Sequence, residues 1–380
     1  MSYFRGFLGG EEGYEHFGGA VARGLSPKVK IAIGASAVAL LLVVILCAFL
    51  IFGGSSSQAV TVRAKKPAVL IIGGKNEESE CILGDIYGLD PTTGDAKVWD
   101  GAKLPSPRHG HVAGYHAASG AIIVAGGLTL SEKVASASTL LYDPGTDSWL
   151  TDVADMLHKR TGAASVVVGD FFYVCGGKGA RGAALLNCER FDFKKRGWTD
   201  VKYASGSGPS MASGAAAAVD GGRLYVIAGG YHYFNETAET ALQPLRYEAE
   251  SSRWLAEPRL NETHIGIKVA YFRPAHAIVG CGGWSLVARR QSTTRCVSYD
   301  VMSNSWANFT AMTENKFISS MLSLKNSTTL VALTGRPNAP LANMSVEIYD
   351  PKVRKWTVLQ TSPAVSKVRD FAAIQYGDLD

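Results

Sequence analysis

The chain has 380 residues, of which 47% are apolar and 19% are charged, so it can bury a large core and is not a disordered polymer. Its 38 basic and 33 acidic residues leave a net charge of +5, which is too small to indicate a nucleic-acid-binding protein. Glycine occurs 42 times without the Gly-X-Y period of collagen, and this abundance predicts an all-β protein with many turns.

The first predicted element is a transmembrane helix at residues 31–52, which contain neither charge nor proline. At about 1.5 Å per residue this stretch extends roughly 33 Å, enough to cross the hydrocarbon core of a lipid bilayer. It is longer than the apolar region of a typical cleaved signal peptide, so we predict an uncleaved signal anchor, with cleavage near Ala59 as the alternative. This interpretation makes residues 1–30 a cytosolic tail and residues 53–66 a linker.

Beyond the linker, one pattern recurs at intervals of 50 to 53 residues. An apolar, β-branched run ends in two glycines five times and in one glycine once, with the last glycines at Gly74, Gly127, Gly177, Gly230, Gly283 and Gly335. After five of the copies, an aromatic residue precedes a tryptophan by seven positions, in the pairs Tyr142/Trp149, Phe191/Trp198, Tyr247/Trp254, Tyr299/Trp306 and Tyr349/Trp356. Such runs suit strands that are covered on both faces.

These residues, with the YDP turns at 142–144 and 349–351 and the PRHGH segment at 107–111, resemble the kelch repeat. The resemblance implies an all-β, six-bladed kelch-type β-propeller at residues 67–377, in which each repeat is a four-stranded blade. The first copy lacks the strand that precedes the glycine strand elsewhere, and an orphan strand of that type occurs at residues 367–377. We expect this strand to complete the first blade and close the ring.

Four cysteines occupy matching positions in the third and fifth repeats: Cys175, Cys188, Cys281 and Cys296. Their recurrence predicts two cross-strand disulfides and an oxidising compartment, with four buried thiols as the alternative. Cys81 then remains without a partner. The sequence contains no CxxC motif, so it gives no support for a zinc site of that type.

Five Asn-x-Ser/Thr triplets follow the predicted membrane helix, at Asn235, Asn261, Asn308, Asn326 and Asn343. Half of the ten asparagines head such a triplet, which is more than chance alone would give. They predict a glycoprotein with type II topology and a lumenal or extracellular propeller, in the secretory pathway or at the plasma membrane.

The kelch resemblance also implies that the loops after the glycine pairs share one face with the segments before each first strand, and that partners dock there. The predicted ligand-binding rim consists of Lys75, Arg108, His109, Arg160, Lys178, Arg181, His232, Trp284, Arg336 and Arg369. Ordinary solvated charge is one interpretation of this set. The functional interpretation is an anionic partner, either an acidic peptide or an acidic glycan. Glycans on blades 4 to 6 would leave blades 1 to 3 open, so charge reversal of Arg108 and Arg160 is expected to abolish binding.

Candidate catalytic and cofactor motifs are weak. The GxGxxG sequence at residues 177–182 leads into a strand rather than a helix, which disfavours nucleotide binding. The kelch resemblance implies packing or rim hydrogen bonding for His109, His111 and His116, since the pattern often carries Arg and His at this opening. Metal binding is disfavoured because no third ligand occurs at a fixed spacing. We therefore predict a membrane-anchored binding module without a cofactor. The alternative is a carbohydrate-acting enzyme of the kelch-propeller type, similar to a sialic-acid epimerase or a copper-radical oxidase, with no assignable catalytic residue.

Overall fold

The computed structural model describes residues 69–377 except for 131–133, 186, 202–214, 219–221, 232–238, 249–250, 252, 261–265, 286–290, 315, 325–327 and 338–342. The predicted cytosolic tail, membrane helix and linker lie outside this part. Within the described residues, no helix has the length and apolar character needed to span a bilayer. Residues from Lys66 to the C-terminus form one compact unit.

Among the described residues, six antiparallel sheets of four or five strands form the blades, and two further two-stranded sheets lie in their connections, which confirms the predicted all-β, six-bladed propeller. The first two blades and their connections contain β1 (Val69–Asn76), β2 (Ile82–Leu89), β3 (Ala96–Val98), β4 (Arg108–His109), β5 (Val112–His116), β6 (Ala121–Ala125), β7 (Leu128–Thr129), β8 (Thr139–Asp143) and β9 (Ser148–Leu150). Blades 3 and 4 contain β10 (Ala164–Val168), β11 (Phe171–Cys175), β12 (Cys188–Asp192), β13 (Gly197–Val201), β14 (Ala215–Ala218), β15 (Leu224–Tyr231), β16 (Glu239–Glu248) and β17 (Arg253–Ala256).

Blades 5 and 6 follow the same plan, with a short 3-10 turn at Arg273–Ala275. Their strands are β18 (Lys268–Phe272), β19 (Ala277–Cys281), β20 (Trp284–Ser285), β21 (Gln291–Ser292), β22 (Cys296–Asp300), β23 (Ser305–Phe309), β24 (Lys316–Leu324), β25 (Thr329–Pro337), β26 (Ser345–Asp350) and β27 (Lys355–Gln360). The chain ends with β28 (Val368–Arg369) and β29 (Ala372–Gln375).

The two ends of the propeller meet in blade 1. Strand β29 pairs antiparallel with β1, from Val69 opposite Gln375 to Ile72 opposite Ala372. Strand β28 extends the pairing through Lys75 and Arg369. The inner strands β29, β5, β10, β14, β18 and β24 each contact the next in a closed circle. Closure removes the open sheet edges that blade 1 would otherwise expose.

The recurring aromatic and tryptophan residues are direct cross-strand partners. Tyr142 lies opposite Trp149, and the same register pairs the aromatic residue with the tryptophan in blades 3 to 6. The indole of Trp149 also donates to the carbonyl of Ala102, in the segment that leaves blade 1. Trp306 and Trp356 make the corresponding bonds to the segments that leave the preceding blades. These tryptophans therefore pair with the aromatic residue within a hairpin and also connect their blade to the preceding one.

The glycine pairs end the second strands, which are buried on both faces; all five residues of β6 are buried, for example. Gly126 and Gly127 both have positive φ angles, of 68° and 87°. A Cβ on Gly126 would lie 2.6 Å from the carbonyl oxygen of Arg160, in the segment leading into the next blade. A Cβ on Gly127 would lie 2.7 Å from the carbonyl oxygen of His109. Both positions therefore need glycine for two reasons: the backbone has positive φ angles, and neighbouring carbonyl oxygens leave no room for a Cβ atom.

Two disulfides join the second and third strands of blades 3 and 5. Cys175 bonds to Cys188, and Cys281 bonds to Cys296. In blade 6 the corresponding cross-strand pair is Thr334 and Ser345, whose hydroxyl oxygens lie 2.8 Å apart. Cys81 is a free, exposed cysteine.

Candidate functional site: the upper face of the propeller

One face of the ring, called here the upper face, carries the loops after the glycine pairs and the segments that lead into the inner strands. Strands β4 and β7 bring these two sets of segments together in blade 2, where Arg108 lies opposite Thr129. Between blades, the Gly127 amide donates to the Arg160 carbonyl at 2.9 Å. Backbone contacts of this kind hold the described segments of this face together.

Arg108 does not lie on the exposed rim as the sequence predicts. Its side chain is 1% exposed, and its guanidinium donates to the carbonyls of Ser106, Gly126 and Ser138 at 3.1 to 3.2 Å. Burial lowers the pKa of Arg108 to about 10, partly offset by the charge of Asp155. The guanidinium is therefore still positive at neutral pH, and it holds loops together rather than facing a ligand.

Arg160 occupies the equivalent place in blade 3 and is likewise 1% exposed. It donates to the Gly176 carbonyl at 2.7 Å and through Nε to the carboxylate of Glu189 at 3.0 Å. Glu189 is completely buried and also accepts the backbone N–H of Leu157. The prediction that Arg108 and Arg160 present their charge to a partner is wrong, because both guanidinium groups satisfy buried backbone carbonyls.

The basic residues of blade 1 are neutralised by acidic neighbours that the rim prediction did not include. Lys75 pairs with Glu80, and Arg369 reaches the same carboxylate at 2.7 Å. These two cations lower the pKa of Glu80, with the hydrogen bond from Lys75 as the larger cause. His109 is mostly covered, and its Nδ1 lies 3.9 Å from a carboxylate oxygen of Asp370. Burial lowers the pKa of His109, which favours its neutral form.

The remaining basic residues with described side chains, Lys178 and Arg181, lie in the loop after the glycine pair of blade 3. Lys178 makes isolated β-bridges to Thr161 and Ala184, which anchor the base of this loop. Arg181 is exposed near the tip. Among the predicted rim residues whose side chains are described, Arg181 is the one with an exposed side chain on an open loop.

Several predicted residues fall outside the described part. These are His232, the side chains of Trp284 and Arg336, and the glycosylation candidates Asn235, Asn261 and Asn326. The other two candidates, Asn308 and Asn343, are exposed. Asn308 lies in the outer strand β23, where its side-chain oxygen accepts a hydrogen bond from Arg295 at 3.1 Å.

The histidines of blade 2 have separate roles. His116 stacks on Phe193 with ring centroids 4.3 Å apart, and its ring nitrogens contact Ser119 and Asp170. His111 is buried beside the central channel. Within the described residues, no group of three His, Cys, Asp or Glu side chains is arranged to hold a metal ion.

Three exposed apolar side chains on the upper face, called here the apolar patch, were missed by sequence reasoning. Leu130 and Val134 lie in the loop after the glycine pair of blade 2 and are 67% and 44% exposed. Leu157 lies in the segment leading into blade 3 and is 52% exposed. Backbone bonds join the two segments, with the Met156 N–H donating to the Ala137 carbonyl at 3.0 Å. In the sequence these residues look like ordinary core residues, and only their loop positions could have marked them.

A sequence model of the KLHDC2/KLHL20/DRC7 Kelch-repeats domain matches residues 57–262. The chain belongs to this kelch-repeat family. Kelch propellers are typically protein-binding modules, and the paired glycines and bridging tryptophans described above are the residues that build the kelch blades in this chain.

The curated relatives of this kelch protein are distant. Alpha-scruin of Limulus polyphemus is 29% identical over 157 residues, which cover 40% of this chain and 16% of alpha-scruin. Kelch-like protein 34 of Homo sapiens is 24% identical over 266 residues, which cover 67% of this chain and 39% of the human protein. The chain therefore spans less than two fifths of the length of either relative.

The solved structure of YjhT resembles the kelch propeller with a TM-score of 0.58. The match covers 76% of this chain and 97% of YjhT at 15% identity. At that identity the likeness shows the shared fold alone.

Proposed function

We propose that this protein is a single-pass membrane protein whose kelch propeller binds a protein partner through the upper face of blades 2 and 3. The observation that supports this function most directly is the apolar patch formed by Leu130, Val134 and Leu157. Exposed apolar side chains on adjoining segments are typical of protein-binding surfaces. Lys178 and Arg181 lie in the loop after the glycine pair of blade 3 on the same face, so we infer a partner that presents apolar side chains together with acidic groups.

The charge distribution favours this part of the ring over blade 1. The cations of blade 1 already have carboxylate partners, and an anionic ligand would have to compete with Glu80 for both Lys75 and Arg369. Blades 2 and 3 instead bury their two arginines and expose apolar side chains. The proposed interface therefore depends on apolar contact first and on charge second.

The interface is tested by crosslinking the tagged full-length protein in cells and comparing two double variants. Leu130→Asp with Leu157→Asp changes the patch without disturbing buried atoms. Met302→Asp with Val353→Asp is the matched control, because these side chains are 70% and 68% exposed in turns at the opposite ends of the strands. We expect the partner captured by the wild type to be lost from the first variant and retained by the control. Equal capture by both variants would refute the proposed surface.

The membrane topology is a separate proposal. The uncharged stretch at residues 31–52, the two disulfides and the exposed Asn308 and Asn343 support a propeller on the lumenal or extracellular side. Digestion with a glycan-removing amidase should increase the gel mobility of the full-length protein, and an external or lumenal protease should not reach an N-terminal tag in sealed membranes. Unchanged mobility together with cleavage of the tag would place the propeller on the other side.

A further inference from the structure

The central channel of the propeller contains two connected cavities between the inner strands. The cavity nearer the upper face, called here the upper chamber, has a volume of about 150 Å³, and the lower chamber has a volume of about 390 Å³. Ala113, Ser165, Val269, Met321 and Ala373 line both chambers, so the two are continuous.

The two chambers differ in chemistry. The polar residues of the upper chamber are His111, Ser165, Lys268, Ser319 and Ser320. The lower chamber is mainly apolar and is lined by Val166, Val167, Leu322, Ile374 and other residues. Among the described side chains that line either chamber, Lys268 is the only Lys, Arg, Asp or Glu.

Lys268 begins the inner strand β18, and the other described residues that line the upper chamber carry no Lys, Arg, Asp or Glu side chain. Within the described part of the chain, its ammonium group makes neither a hydrogen bond nor an ion pair, and Asp370 attracts it from a distance. Burial lowers the pKa of Lys268 despite that attraction. An anion placed in the upper chamber would compensate this charge, for which the described residues supply no direct partner.

His111 also lines the upper chamber. The residue is 6% exposed, and its ring interacts with the backbone of Ile72 and of Arg108. Burial, together with the charges of Arg108 and His109, lowers the pKa of His111 to about 3, so the ring is neutral near pH 7. A neutral imidazole has one N–H that can donate to an anion.

The geometry points to a binding site for a small monocarboxylate with a short hydrocarbon tail, with the carboxylate in the upper chamber and the tail in the lower chamber. Lys268 and the serine hydroxyls would hold the carboxylate oxygens, and His111 would donate to one of them. A cation is disfavoured by Lys268. A phosphate dianion would bring a second negative charge for which the described lining has no second cation.

Binding of hexanoate to the purified full-length protein tests the site, with hexanol as the neutral probe of equal tail length. Lys268→Met removes the charge and keeps an unbranched side chain. Lys352→Met is the matched control, since Lys352 is exposed in a turn of blade 6. Calorimetric titration at constant ionic strength should show hexanoate binding to the wild type and the control, and an affinity lower by about tenfold or more for Lys268→Met. Equal affinity of Lys268→Met, or equal binding of hexanol and hexanoate to the wild type, would overturn the site.

A second measurement needs only the wild type and therefore does not depend on the folding of a variant. Hydrogen exchange with and without hexanoate should show new protection in the peptides around Ser319–Leu322 and Ala372–Ala373, which line the chambers. Absence of protection there at saturating hexanoate would contradict the proposal. Loss of the upper-face partner in the patch variant with retained hexanoate binding would separate this site from the proposed protein interface.

Discussion

Blades 2 and 3 share one backbone frame and secure it with different side chains. In both blades a buried arginine joins the first glycine of the pair to the residue before the third strand. Arg108 binds the carbonyls of Gly126 and Ser138, and Arg160 binds those of Gly176 and Asn187. The frame therefore requires an arginine that donates to carbonyls, and it forms with or without a carboxylate beside it.

The differences lie in what surrounds the arginine. Blade 3 adds the buried carboxylate of Glu189 and the Cys175–Cys188 disulfide. Blade 2 has Leu140 at the position equivalent to Glu189, and Thr139 at the position equivalent to Cys188. Thr139 accepts a hydrogen bond from the indole of Trp198 in blade 3, at 3.1 Å. At equivalent positions, Thr139 of blade 2 therefore contacts the neighbouring blade, whereas Cys188 of blade 3 forms a bond within its own blade.

The largest expected effect follows from breaking the buried ion pair. Arg160→Met leaves Glu189 charged and without its guanidinium partner, so we expect the free energy of unfolding to fall by about 3 to 5 kcal/mol. Chemical denaturation measures the loss, with Lys159→Met as an exposed neighbouring control. Adding Glu189→Leu to Arg160→Met should recover part of the stability; a double variant less stable than Arg160→Met would contradict the ion-pair explanation.

Removal of the disulfide in blade 3 is expected to have the next largest effect. Cys175→Ser with Cys188→Ser opens a loop whose ends are 13 residues apart, which should cost about 3 kcal/mol. Cys81→Ser should change the stability little because Cys81 is exposed and free. If the double variant unfolds at the same denaturant concentration as the wild type, the disulfide does not distinguish blade 3 from blade 2 energetically.

Arg108→Met should destabilise the protein less than Arg160→Met does. It removes bonds from a guanidinium to carbonyls but leaves no buried carboxylate, so the expected loss is about 2 kcal/mol. The two variants are compared by denaturation under identical conditions. A larger loss for Arg108→Met would mean that the carbonyl bonds, rather than the ion pair, dominate in both blades.

The smallest expected effect concerns a carboxylate that differs from Glu189 in its partners. Glu347 is completely buried and accepts the backbone N–H groups of Thr313 and Glu314. Burial is the largest cause of its raised pKa. A raised folded-state pKa means that stability is fully present below the unfolded-state pKa and is lost as the pH rises through the folded-state value. The melting temperature of Glu347→Gln relative to that of the wild type should therefore increase from pH 4 to pH 7.5. A melting-temperature difference that does not change with pH would refute this linkage.

Much of the fold can be predicted from local sequence patterns because the recurring residues of the kelch repeat make similar contacts in successive blades. The recurring glycine pairs predict the number of blades, and the position of the orphan strand predicts where β29 joins β1. The candidate site is less readable because charge alone does not distinguish an exposed arginine from a buried one. Arg108 and Arg181 look alike in the sequence, yet one is buried against carbonyls and the other is exposed on a loop.

The sequence by itself determined the repeat, the number of blades and the residues that punctuate them, since these depend on local conformation and on contacts at a constant spacing. Only the tertiary structure decided which polar groups find partners. It buried Arg160 against Glu189 and exposed Leu157 on the upper face, and it left Lys268 in the channel without an ion-pair partner among the described residues. Burial and charge pairing depend on segments that are distant in the chain and meet only when the ring closes.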